Sequence, residues 1–263
     1  MIRSTSIVSG FLGGKRTCVI KSDVGESRLG HTIDSPGTDP SEEAIRRKLS
    51  ENPYLVSGII VVEEYIYSSR NLSPSLEFIV PRSGEAQITC LSDQLFLDDF
   101  GSSCGVLISK TSQHAAWYET FAEAGLCVAR NLQQLGYVGQ FYLDAIVDDD
   151  ENIYLLAINA RRTAGTHAHE FAVHCLGSDY LEHSVALCHN KLHCTQGIEI
   201  ADILSCVEDL SLTCGGANPG VAISAYSGIA SGEYGCICVF YSVESASALL
   251  GLVIDRVSGL TTG

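Results

Sequence analysis

The sequence has 263 residues, 46% of them hydrophobic and 18% charged, with a net charge of −15. That is enough apolar material for a real core, which excludes a disordered chain, and the length suits one large domain or two small ones. The acidic balance excludes a nucleic-acid partner, because phosphate backbones are bound by Lys/Arg-rich faces.

No apolar run is long enough to span a membrane, so no membrane partner is expected. The 11 cysteines form no obvious paired framework, and the first residues do not read as a secretory signal. Both point to reduced thiols in the cytoplasm, mostly buried as small hydrophobes. His174, Cys175, His183, Cys188, His189, His193 and Cys194 are clustered. Their spacing fits no zinc-finger type and no CxxC pair accompanies them. Buried thiols and exposed imidazoles on a helix and its end account for the cluster.

In chain order, residues 1–16 are polar and Gly-rich and read as loose. Thr17–Lys21 reads as a short strand ending in a lysine, followed by a loop containing Gly25 and Gly30. A strand-end lysine is either a snorkelling surface cation or a ligand for phosphates beneath a glycine-containing flap. The glycines match no P-loop or Rossmann spacing. Asp39-Pro40-Ser41-Glu42 reads as a helix start, with Asp39 as cap, Pro40 in the first helical position and Glu42 completing a capping box. That helix runs to about Ser50, and its charges form a solvated face.

Gly58–Ile66 is the strongest central-strand signal, five apolar residues leading into Glu63 and Glu64. Those acids either reach water or face a ligand. Leu76–Val80 and Ala86–Leu91 flank a Pro/Gly turn and read as a hairpin, with Arg82 a solvated turn residue. Ser112–Leu135 reads as a long amphipathic helix with Trp117, Phe121, Ala124, Val128, Leu132 and Leu135 on one stripe, stopped by Gly136.

Gln140–Val147 and Ile153–Ile158 then read as two strands around an acidic turn at Asp148–Asn152. If Asp148 pairs with Ile153, Asp144 lies opposite Ala157, and Asn159 projects from the same face. A carboxylate inside an apolar strand is costly to bury unless it is paired or binds a metal. A solvated hairpin face would explain Asp144 and Asn159 alone. Arg161, Arg162, Gly165, Thr166 and His167 follow directly. Oxygen ligands beside two guanidinium groups are what a magnesium–polyphosphate site needs. Glu170–His189 reads as helix, Glu199–Leu210 as a further helix and Gly215–Gly220 as a loop. Val221–Tyr226 and Tyr234–Tyr241 read as strands and Ser242–Val257 as a helix.

Strand, Asp144, turn, strand, then Asn159-x-Arg161 resembles the metal-binding end of an ATP-grasp ligase. The run Arg161-Arg162-Thr163-Ala164-Gly165-Thr166-His167 is similar to that of the pheganomycin-type peptide ligases. The resemblance covers the chain from about Thr17 onward, and its specific part is Asp144 to His167. It implies an α+β ATP-grasp fold, two lobes gripping ATP, with a small C-terminal β-hairpin and helix unit. The expected division is 1–67 for the nucleotide-binding lobe, 68–175 for the second lobe and 176–263 for the C-terminal unit.

The resemblance further implies that Lys21 and Gly25 hold ATP phosphates and that Glu63 and Glu64 belong to a hinge strand meeting the adenine and ribose. Asp144 and Asn159 would hold Mg²⁺, Arg161 the developing acyl phosphate, and Arg162 and His167 the acceptor side. The implied reaction joins a small-molecule carboxylate to an amine or peptide through an acyl phosphate. Two departures stand out. Ala157 occupies the position of a metal-ligating Glu, and the family's N-terminal domain has no counterpart here, as in a truncated or shortened descendant. Both, together with Gly25–Gly30 as a poor copy of the family's flap, favour the alternative, a non-catalytic nucleotide-binding or scaffold protein on the same fold.

Overall fold

The computed structural model describes residues 2–22, 31–35, 37–56, 59–97, 103–213 and 219–260. The chain divides into two compact units. One comprises Met1–Tyr67 with Leu97–Ser103, the other Ser68–Phe96 with Cys104–Gly263.

In the first unit, α1 (Ile2–Gly13) precedes strands β1 (Cys18–Ser22) and β2 (His31–Asp34), helix α2 (Glu42–Glu51) and strand β3 (Ile60–Glu64). The strands form an antiparallel sheet in the order β2-β1-β3. Residues 2–13 are therefore helical, not loose as the composition suggested. Thr5, Val8 and Leu12 are buried on one face, and Val8 and Leu12 join Cys18, Ile20, Ile45, Leu49 and Leu55 in a core. Burial of that stripe overrides the weak helix propensity of its serines and glycines.

The cap of α2 is Ser41, whose hydroxyl accepts the Ala44 N–H at 3.3 Å. Asp39 acts one step earlier, accepting the Ser41 N–H at 2.9 Å. The cap thus falls on Ser41, two residues after Asp39, and with Ala44 in the N3 position no reciprocal capping box closes. Beneath α2 a fully buried Asp34 carboxylate is ion-paired with Lys48, the pairing that makes a buried acid tolerable. Gly58, the first residue of the expected hinge strand, lies outside the described residues, and so do Gly25 and Gly30 and residues 215–218 of the expected Gly215–Gly220 loop.

The second unit is built on an eight-stranded sheet. Its strands are β4 (Pro74–Val80), β5 (Gln87–Phe96), β6 (Ser103–Ile108), β7 (Gly139–Val147), β8 (Ile153–Asn159), β9 (Val185–His193), β10 (Gly220–Ser224) and β11 (Glu233–Phe240). Their order is β10-β11-β9-β6-β5-β4-β7-β8. The helices are α3 (Tyr118–Gln134), α4 (Ala164–Leu176), α5 (Ile200–Cys206) and α6 (Val243–Ser258).

Neighbouring residues of one strand serve different layers, because side chains alternate. Leu91 belongs to the core with Trp117, Phe121, Phe78 and Phe141 beneath α3, whereas Cys90 belongs to the core with Ala168 and Ala172 of α4. Likewise Leu187 packs with Leu249, Val253 and Val257 of α6, and Cys188 with the α4 layer. Helix α4 thus covers one face, and α3 and α6 the other.

Three elements differ from expectation. Helix α3 begins at Tyr118, after a 3₁₀ turn at Thr111–His114. Helix α4 stops at Leu176, because Gly177 leaves helical backbone at φ +96°. The segment expected to continue it carries β9 instead, so Cys188 and His189 lie on a strand, Cys188 buried at 0%. Strand β6 carried no recognised signal; its Gly105 lies where β6 meets β9, and a Cβ there would sit 1.9 Å from the Cys188 carbonyl oxygen.

That contact makes a direct prediction. Gly105→Ala forces the two strands apart and should destabilise the chain by about 2 kcal/mol, the scale of core overpacking. Urea unfolding measures the loss, and an unchanged midpoint and slope would contradict the close approach.

Candidate functional site

The β7–β8 hairpin carries the site. The strands close on Val147 and Ile153, one residue earlier than expected. A bulge then restores the offset: Ala145 faces Leu155 but Asp144 faces Ala157, so Leu156 is the extra residue. The expected juxtaposition of Asp144 with Ala157 is therefore present, and Asn159 reaches Asp144 from the same strand. Its Nδ2 donates to Asp144 Oδ2 at 2.6 Å. From β4, on the other side, Ser75 Oγ donates to Asp144 Oδ1 at 2.5 Å. Gln94 of β5 orients that serine, its Nε2 donating to Ser75 Oγ at 3.1 Å.

Asp144 is thus held by donors on both flanking strands. The turn is separately built. Asp148 accepts the Asn152 side-chain and backbone N–H groups and the Asp150 N–H, which hold its carboxyl below the ordinary range.

Arg161 follows Asn159 after one residue, Ala160. Its NH1 donates to the Arg162 carbonyl at 3.3 Å, and its NH2 lies 3.5 Å from Asn159 Oδ1, at the outer limit of a hydrogen bond. Arg162 turns away to an exposed ion pair with Glu170, which also accepts Gln140 Nε2 at 3.2 Å. His167 lies in the first turn of α4, with Nε2 3.6 Å from Cys188 Sγ and Nδ1 3.4 Å from the Thr163 carbonyl. Burial lowers its pKa, and burial pushes the Cys188 thiol up to about 12, so that thiol stays protonated near neutrality. The structure brings Asp144, Asn159 and Arg161 together, and puts Arg162 and His167 on the next few residues.

In the first unit Lys21 is ion-paired with Glu63, a diagonal neighbour across β1 and β3. Glu64 points to Arg16 at 3.8 Å, both groups largely exposed. Gly25 lies outside the described residues.

The donor set around Asp144 limits what it can hold. One carboxylate and one amide suit a single magnesium ion, which commonly takes one or two carboxylates and completes its octahedron with water and substrate phosphates. The methyl of Ala157 supplies no bridging oxygen for a second ion. Among the described residues no group of three or more His, Cys, Asp and Glu side chains could hold a metal, and no helix is long and apolar enough to cross a membrane.

Ser75 lies in Ser73-Pro74-Ser75, which is similar to a Ser/Pro segment of the ATP-grasp ligases but too short to mark a site. Glu77 escaped the sequence reading although it gives a signal: it interrupts the apolar run Leu76–Val80 as Asp144 interrupts its own strand, and it is 1% exposed.

No family profile matches the sequence, and no curated protein does. Solved structures match the fold. Carboxyaminoimidazole ribonucleotide synthase from Aspergillus clavatus, complexed with ATP, superposes with a TM-score of 0.68 at 13% identity, over 98% of this chain and 66% of its own. Biotin carboxylase from Campylobacter jejuni, in a β-γ-ATP complex, gives 0.63 at 12% identity, over 94% and 58%. The biotin carboxylase domain of 2-oxoglutarate carboxylase from Hydrogenobacter thermophilus, with MgADP, ADP and bicarbonate, gives 0.63 at 11%, over 99% and 66%. The chain spans less than two thirds of the length of these structures. Its fold is the ATP-grasp fold, α+β with antiparallel sheets.

The partly desolvated imidazoles set a pH dependence. Burial lowers the pKa of His167, His169 and His189 below the usual 6.5. The unfolded chain then binds more protons than the folded one below that value, so their contribution to stability is complete above it and falls with falling pH. His169, hydrogen-bonded to Tyr180 OH at 3.1 Å, isolates the effect. His169→Phe should flatten the dependence of melting temperature on pH between 7.5 and 6. An unchanged slope would show that this imidazole titrates alike in both states.

Proposed function

We propose that this chain is an ATP- and Mg²⁺-dependent carboxylate–amine ligase acting through an acyl phosphate, with turnover limited by Ala157. The observation that carries the reading is Asp144 hydrogen-bonded to Asn159 at 2.6 Å, with Arg161 beside them, on an ATP-grasp sheet. The named structures are complexes with ATP or ADP, one as its magnesium salt, which supports nucleotide as the ligand class here.

In this reading Lys21 holds the α- and β-phosphates, its ion pair with Glu63 keeping the ammonium extended. Glu63 and Glu64 serve the adenine and ribose end. Magnesium, held by Asp144 and Asn159, would neutralise phosphate charge. A substrate carboxylate oxygen attacks the γ-phosphorus and ADP departs. The amine nitrogen then attacks the acyl carbon, inorganic phosphate departs and the nitrogen loses a proton. Arg161 stabilises the charge that gathers on the transferring phosphoryl group, the dominant task in such chemistry. Arg162 and His167 lie toward the acceptor. A peptide as acceptor, as in the pheganomycin-type ligases, is the finer form of the proposal, and 1–67, 68–175 and 176–263 are its proposed functional divisions.

One observation favours a second reading, a nucleotide-binding protein without turnover: the exposed methyl of Ala157 directly opposes Asp144. The two are separated by one substitution. Ala157→Glu restores a carboxylate opposite Asp144 and should raise magnesium-dependent ADP release from ATP by about tenfold or more, the scale on which single groups around a metal act. No turnover in either the native chain or the variant would reject the ligase and leave the binding protein.

A further inference from the structure

Glu77 lies in β4 between Leu76 and Phe78, opposite Tyr142 of β7 and Cys90 of β5. Both of its carboxyl oxygens accept hydroxyl hydrogen bonds. Thr89 Oγ1 donates to Oε2 at 2.8 Å, and Thr166 Oγ1 donates to Oε1 at 2.6 Å. Thr166 belongs to the first turn of α4, where Thr163 and Thr166 form a reciprocal capping box. In it the Thr163 backbone N–H donates to Thr166 Oγ1 at 3.0 Å. The donors therefore run in one line, from the Thr163 amide to the Thr166 hydroxyl to Glu77. A hydroxyl that accepts and donates at once is polarised by both partners, which strengthens each bond.

The first turn of α4 is also seated closely on the sheet. A Cβ on Gly165 would lie 2.4 Å from the Tyr142 phenol oxygen. The acid lies at the positive end of the α4 dipole, which favours it there. Even so, burying a carboxyl group is costly, and an apolar side chain would fill this layer at less expense. The distinguishing feature is where the line of donors ends. Thr163 directly follows Arg161 and Arg162, and His167 directly follows Thr166.

We propose that Glu77 is a positioning residue: through Thr166 it fixes the Thr163 amide, and with it the Arg161–His167 segment, against the sheet. That this segment faces substrate rests on the ligase reading above; the line of donors does not.

The test is amide exchange at Thr163 in the full chain, set beside ADP affinity and ATP turnover. Glu77→Gln replaces one acceptor by a donor, and Thr166→Val removes the hydroxyl. Each should speed exchange at Thr163 by at least about tenfold, the scale of one buried hydrogen bond lost, with exchange in β7 and β11 unchanged. Thr166→Ser keeps the hydroxyl and should exchange as the native chain does. Thr89→Val removes the other bond to Glu77 and should leave Thr163 unaffected. If Glu77→Gln is too unstable to measure, Glu77→Met, which removes both acceptors without burying a new donor, should give the same acceleration at Thr163.

Native exchange at Thr163 in Glu77→Gln and Thr166→Val would overturn the proposal, and so would acceleration spread evenly over the chain. In turnover, Glu77→Gln should lower the rate at least about tenfold with ADP affinity unchanged, and Thr166→Ser should keep the native rate. A native chain without turnover would defeat the ligase reading, while exchange at Thr163 still decides the role of Glu77.

Discussion

Asp144 is a carboxylate in the middle of a sheet, and the structure around the site is organised by what meets it. Ser75 reaches it from β4 and Asn159 from β8. Both contacts depend on register. In β8 the register is set by a single extra residue, Leu156, between the turn and the site. Without that bulge Asp144 would face Leu156, and every side chain of β8 beyond it would change face. The bulge thus decides whether an amide or an apolar side chain stands next to the acid.

The same sheet keeps its two faces chemically distinct. Under α3 the layer is aromatic and aliphatic, with Phe78 and Phe141 stacked at 4.9 Å and Gly125 admitting the Phe78 ring. On the opposite face β4, β5 and β7 present Ser75, Glu77, Cys90, Tyr142 and Asp144, and α4 lies over part of this polar layer. Asp144 is at its open end and Glu77 at its closed end, 1% exposed. Asp144 is met by Ser75 and Asn159, and Glu77 by Thr89 and Thr166. Both follow from the same rule, that a buried carboxyl must be met by donors or by charge.

Much of this was legible in the sequence. The apolar, β-branched and aromatic content of Gln140–Val147 and Ile153–Ile158 and the turn formers at Asp148–Asn152 made the hairpin legible. Leu156 was not legible as a bulge, because nothing in an apolar run marks which residue loses its partner. The α1 helix was hidden because Thr5, Val8 and Leu12 are spaced among serines and glycines whose propensity points elsewhere. The segment after Gly177 looked helical, although that glycine is a stop signal of the kind recognised at Gly136. Glu77 obeyed the rule applied to Asp144 but lay in a hairpin whose turn drew the reading instead.

The central claim is that Asp144 serves a magnesium–nucleotide complex, and calorimetric titration of ATP into the native chain and Asp144→Ala, each with and without Mg²⁺, tests it most directly. The account expects binding to the native chain that strengthens with magnesium, and to Asp144→Ala binding that magnesium does not strengthen. Equal magnesium dependence in both proteins, or no ATP binding by the native chain at any magnesium concentration, would contradict it.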